Sequence, residues 1–100
     1  MNVDNKYYSI KTKKMIQKQM TVRLDKNPDA RPVAEFVQVA SQFESVIHVE
    51  VDEKKVNAKS IMGMMSIGLA DGDELTVSAD GSDEKKAIEE IERFLNGQDA

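Results

Sequence analysis

The 100-residue chain carries 14 Lys and Arg against 18 Asp and Glu, a formal charge of −4, with 40% apolar and 32% charged side chains and no cysteine. A chain of this size holds one small domain with a two-layer core, and its acidic balance opposes bulk attraction to nucleic-acid backbone. Disulfides and thiolate metal sites are excluded, no apolar run approaches the roughly 20 residues that span a bilayer, and the first eight residues lack the apolar core of a signal peptide. A soluble, cytoplasmic domain is expected.

Residues 1–14 are poor in apolar side chains and locally basic through Lys6, Lys11, Lys13 and Lys14. They are expected to form a flexible N-terminal extension, with a single domain over residues 15–100. Lys18 to Leu24 places Met20, Val22 and Leu24 at alternate positions, as a half-buried strand requires. Asp29-Ala30-Arg31-Pro32 predicts a helix start, with Asp29 as N-cap and Pro32 tolerated in the first turn. Val33, Phe36, Val37 and Ala40 then give that helix one apolar face.

Ile47, Val49 and Val51 alternate in a second strand, and Asp52-Glu53-Lys54 turns the chain into a short third strand around Lys55-Val56-Asn57. A helix capped by Ser60 follows and closes near Gly68, a residue suited to the left-handed C-terminal conformation. Asp71-Gly72 turns into a fourth strand with Leu75, Val77 and Ala79. Gly81-Ser82 opens a last helix with Ala87, Ile88, Ile91, Phe94 and Leu95 on one face. The order is β-α-β-β-α-β-α. It points to an α+β open-faced sandwich, a four-stranded, mainly antiparallel sheet covered on one face by helices.

The segment Ser60-Ile61-Met62-Gly63-Met64-Met65-Ser66 carries the most chemistry. A capping serine hydroxyl sits where free N–H groups and the positive end of the helix dipole also suit a phosphate. Ile61, Met62, Met64 and Met65 wrap most of a helical turn, so at least one must lie near the surface. Flexible, polarizable methionine suits a face that adapts to partners. Taken alone, Ser60 reads as a plain cap. Its neighbours make it a candidate docking switch.

From about Met15 to Leu95 the chain resembles the HPr family, phosphocarriers of the bacterial sugar phosphotransferase system. Residues 55–66, Lys55-Val56-Asn57-Ala58-Lys59-Ser60-Ile61-Met62-Gly63-Met64-Met65-Ser66, resemble the regulatory serine site of the Gram-positive members and of their catabolite-repression HPr-like (Crh) paralogues. Asp80-Gly81-Ser82-Asp83-Glu84 resembles the family's lead-in to its last helix. The resemblance implies phosphorylation of Ser60 by an ATP-dependent HPr kinase/phosphorylase and docking of the product on a LacI-type catabolite repressor. Arg31, Ile61, Met62 and Met65 are the implied partner-contact residues.

One departure stands out. The family's phosphorylatable histidine lies in a Gly-aliphatic-His-small-Arg-Pro pattern, which here reads Asn27-Pro28-Asp29-Ala30-Arg31-Pro32. A carboxylate at Asp29 is anionic at neutral pH and repels an incoming phosphoryl group. Sugar-transport phosphate relay is therefore not expected. Two alternatives stay open: an atypical carrier using Asp29, since acyl phosphates form on aspartate in some enzymes, and an interaction module that is never phosphorylated. His48, the only histidine, falls on the polar side of the second strand. No cofactor, metal site or nucleophile–base constellation is expected, and with it no enzyme. Glu53, where the family often has glycine, predicts a hairpin turn that is strained or of another type.

Overall fold

Alternation of apolar and polar residues builds the sheet. In the computed structural model, which describes residues 15–23 and 31–97, four strands form: β1 (Met15–Thr21), β2 (Val46–Val51), β3 (Lys54–Asn57) and β4 (Glu74–Asp80). They lie in the order β1-β4-β2-β3, every neighbour antiparallel. Ile47, Val49, Leu75, Val77 and Ala79 all turn to one face and are buried. The register sets Ile16 and Ile47 on either side of Ala79, and Val49 between Val77 and Val56. One residue out of phase, Gln17, Ser78, His48 and Asn57 make a polar row across all four strands on the other face.

Three helices cover the apolar face: α1 (Arg31–Ser41), α2 (Ile61–Ile67) and α3 (Glu84–Leu95). Val33, Phe36, Val37 and Ala40 of α1 are buried, as are Ala87, Ile88, Ile91, Phe94 and Leu95 of α3, so both apolar stripes read from the sequence face the core. The Phe36 and Phe94 rings meet with centroids 6.2 Å apart at 55°. Such a tilted pair adds about 0.5–1.5 kcal/mol beyond area burial. The element order and the one-sided sandwich are those the sequence predicts. The Lys18 Nζ–Glu92 Oε1 ion pair at 2.8 Å ties β1 to α3 at the surface, a contact worth about 0–1 kcal/mol.

Three local details differ from the reading. β1 begins at Met15 rather than Lys18, and Val22 lies beyond its ladder, its N–H donating to the Asp73 carbonyl at 2.8 Å. The last helix begins at Glu84, because Gly81-Ser82-Asp83 is spent on a turn; the Gly81 N–H donates to Glu84 Oε1 at 2.9 Å and closes it. In the β2–β3 hairpin the positive φ, 55°, falls on Asp52 and not on Glu53. Aspartate tolerates that region better than a longer side chain does. The extension at 1–14, Leu24 and the Asp29 cap lie outside the described residues.

Candidate functional site at the start of α2

Ser60 is positioned by a short connection with almost no slack. Ala58, fully buried, donates its N–H to the Ile47 carbonyl at 2.9 Å. Asn57 Oδ1 then accepts from the Lys59 N–H at 2.8 Å, and the Asn57 carbonyl from the Ser60 N–H at 3.0 Å, a local turn that asparagine favours. Lys59 reaches away from this turn, its Nζ donating to the Phe43 carbonyl at 2.6 Å, so the connection is tied to the loop after α1 as well.

Ser60 itself has extended backbone angles (φ −104°, ψ 117°), and its Oγ accepts from the Gly63 N–H at 3.0 Å. Its carbonyl accepts the Met64 N–H at 2.9 Å. This is the N-cap predicted from the sequence, with one orphan donor of the first turn satisfied. A side chain at Gly63 would bring its Cβ to 3.3 Å from Ser60 Oγ and 3.4 Å from Val56 Cβ. Glycine, costly inside a helix, is there because the first turn passes close to the capping hydroxyl and to β3.

The four apolar residues after Ser60 divide sharply. Met64 is 0% exposed in the core, whereas Ile61 is 47%, Met65 56% and Met62 83% exposed. The spacing Ile61, Met62, Met65 gathers the exposed three on one side of a two-turn helix. Three large exposed apolar side chains thus follow a half-buried capping serine within five residues. Gly68 ends the helix, its N–H donating to the Met64 carbonyl.

Arg31 is exposed as the first residue of α1, the helix that packs against α2. Asp29, two residues earlier, lies outside the described residues. His48 is half-buried on the open sheet face, opposite Ser78 and Asn57, away from the helices.

A second polar centre, unforeseen in the sequence, supports the site from behind. Asp83 accepts three hydrogen bonds from the loop after α1: Glu44 N–H at 2.8 Å, Ser45 N–H at 3.0 Å and Ser45 Oγ–H at 2.5 Å. The Ser45 hydroxyl, then the Glu44 N–H, holds the Asp83 carboxyl below its ordinary value. Ser45 is completely buried, and Gly81 packs so close that an added Cβ would stand 2.6 Å from Ser45 Cα. The same loop offers the Phe43 carbonyl to Lys59. A chain of contacts thus runs from α3 through this loop to the residue before Ser60. No local spacing joins residues 38 apart, so no pattern in the sequence announces the clasp.

The family profile described as "PTS HPr component phosphorylation site" matches residues 16–97. The chain belongs to the HPr family. It is 47% identical over 81 residues to the HPr-like protein Crh of Halalkalibacterium halodurans, covering 81% of this chain and 96% of that one. Among solved structures, the phosphocarrier protein HPr of Bacillus anthracis superposes with a TM-score of 0.76 at 43% identity, covering 81% of this chain and 96% of that one. Bacillus subtilis Crh, a catabolite repression protein crystallised as a swapped dimer, gives a TM-score of 0.66 at 44% identity over 85% of this chain and 98% of that one. HPr-family proteins are phosphocarriers or regulators rather than enzymes, and the fold here is theirs.

Proposed function

We propose that this HPr-family chain is a cytoplasmic regulatory phosphoprotein, phosphorylated on Ser60 by an HPr kinase/phosphorylase and acting as a co-repressor partner of a LacI-type catabolite repressor. It carries no phosphate for sugar transport. The observation that carries the proposal is the pairing of a capping serine with a cluster of exposed apolar side chains, Met62 at 83% above all. A folding role explains the cap but leaves the exposed cluster unexplained. A partner that reads phosphate and apolar surface together explains both. The likeness to Crh supports the same reading, as does Asp29 in the place of the carrier histidine.

In the kinase step Ser60 Oγ attacks the γ-phosphorus of ATP, ADP departs, and the hydroxyl proton passes to a base of the kinase. The product gains roughly −1.5 to −2 charges and three strong acceptor oxygens. Cationic groups of the repressor bind these oxygens, while Ile61, Met62 and Met65 supply dry contact and Arg31 a further polar one. Nothing on the protein itself needs to move. The switch is a change of surface charge.

Intact-mass measurement tests this after two incubations, one with HPr kinase and ATP, the other with the phosphoenolpyruvate-driven donor enzyme. The expected result is one phosphate from the kinase alone, absent in Ser60→Ala. Label from the donor enzyme that is lost in Asp29→Asn would establish a carrier instead, and no label from either would leave an interaction module.

A further inference from the structure

The three methionines of α2 differ in their access to solvent, and the difference is chemical as well as geometric. Met62 and Met65 stand out at 83% and 56% exposure, while Met64 between them is sealed in the core at 0%. The chain has no cysteine, so no thiol of its own competes for a two-electron oxidant. Thioether sulfur is then the softest nucleophile this face presents. The two exposed sulfurs lie three residues apart on one side of the helix, beside Ile61 and within one and a half turns of Ser60.

We infer that Met62 and Met65 form an oxidant-sensitive modification site, in which peroxide converts them to sulfoxides and lowers the affinity of the Ser60 face for its partner. The loss of affinity rests on the docking role proposed above; the modification itself does not. In each event a sulfur lone pair attacks one peroxide oxygen, forming an S–O bond as the O–O bond breaks. The departing hydroxide takes the proton from the new S–OH group and leaves as water, so that the sulfoxide and one water are the only products. Sulfur is oxidised by two electrons and the peroxide reduced by two. The product is a polar, chiral side chain with a strong acceptor oxygen where a flexible apolar one stood. On a face meant to be dried by a partner, that oxygen must be buried unpaired or stay wet, and either weakens docking.

Met64 makes the site selective. A sulfoxide there would disrupt the core, but its sulfur is out of reach in the folded protein. Oxidation can therefore change the surface of α2 without unfolding it, and methionine sulfoxide reductase can reverse the change. Two independent signals would then meet on one helix: phosphate adding charge at Ser60, and oxygen removing apolar surface two and five residues later.

The full chain, with and without Ser60 phosphate, is titrated with hydrogen peroxide and mapped by peptide mass spectrometry, then assayed for repressor binding. Met62 should oxidise first and Met65 next. Met64 and Met20 (3% exposed) should lag by at least about tenfold in rate. Binding of the oxidised phosphoprotein should fall by about tenfold and return after reductase treatment. Met15, 46% exposed on β1, provides a control: Met15→Leu should remain peroxide-sensitive, whereas the Met62→Leu/Met65→Leu double variant, similar in volume, should show no further fall in affinity on peroxide treatment, whatever its own starting affinity. Equal oxidation rates for Met62 and Met64, or undiminished binding by the Met62 sulfoxide, would overturn the inference. If the unoxidised phosphoprotein binds no tighter than unmodified protein, it is the co-repressor reading that fails, and the modification stands or falls on the peptide map.

Discussion

The second and third helices start in opposite ways. Ser60 caps α2 locally, its Oγ accepting from an N–H three residues ahead, and remains half-buried among exposed apolar side chains. At the start of α3, Asp83 makes no side-chain cap to its own helix and reaches across to the loop holding Ser45, which is wholly buried. Both starts use an oxygen acceptor on backbone N–H groups. One leaves its serine half-buried at the surface; the other spends its serine on holding two elements together. A hydroxyl at a helix start is thus a candidate switch only where the surrounding surface is left open.

The sharpest break of this comparison lies within α2. Met64→Ala empties a fully buried site and should cost about 2–5 kcal/mol of stability, whereas Met62→Ala should change stability by less than about 0.5 kcal/mol and weaken partner binding. Urea titrations of both variants measure the contrast. Comparable losses would mean that Met62 is part of the core and not of a docking face.

Next comes the clasp. Gly81→Ala places a Cβ 2.6 Å from Ser45 Cα, so the loop must shift; an overpacking cost of about 1–3 kcal/mol follows. Because that loop also holds Lys59, amide exchange around Ser60 should rise together with exchange around Ser45. Exchange rising at Ser45 alone would separate the two centres. Ser60→Ala is smaller, removing one cap bond for about 1 kcal/mol, with the helix from Ile61 onward retained by circular dichroism. A loss of the whole fold in Ser60→Ala would contradict the local character of that cap.

How much of this could be read in advance depended on the range of each interaction. The strands at Ile47–Val51 and Leu75–Ala79, and the stripes of α1 and α3, were legible because their apolar periods are local and strong. Ser60 was legible because capping reaches only three residues. The division among Ile61, Met62, Met64 and Met65 could be anticipated as necessary but not assigned, since which side faces inward depends on how α2 packs beneath α1. The Asp83–Ser45 clasp joins distant residues and carried no local signature.

The same clasp sets the smallest expected effect, and its sign follows from the hydrogen bonds. Ser45 Oγ–H and the Glu44 N–H favour the ionised Asp83, so its folded pKa lies below the ordinary 3.8. A carboxyl held low in the folded state binds fewer protons than its unfolded counterpart, so it contributes stability at pH above the unfolded value. That contribution declines as pH falls below about 4 and is gone once pH has passed the folded value. Asp83→Asn keeps one acceptor oxygen but cannot ionise; its urea midpoint should be lower than wild type at about pH 6 and approach it near pH 3. The other carboxylates titrate in both proteins, so the narrowing gap between the two curves is the quantity that reports on Asp83. A gap that stays constant from pH 6 to 3 would show that the three hydrogen bonds hold the loop by geometry alone, with the negative charge adding nothing.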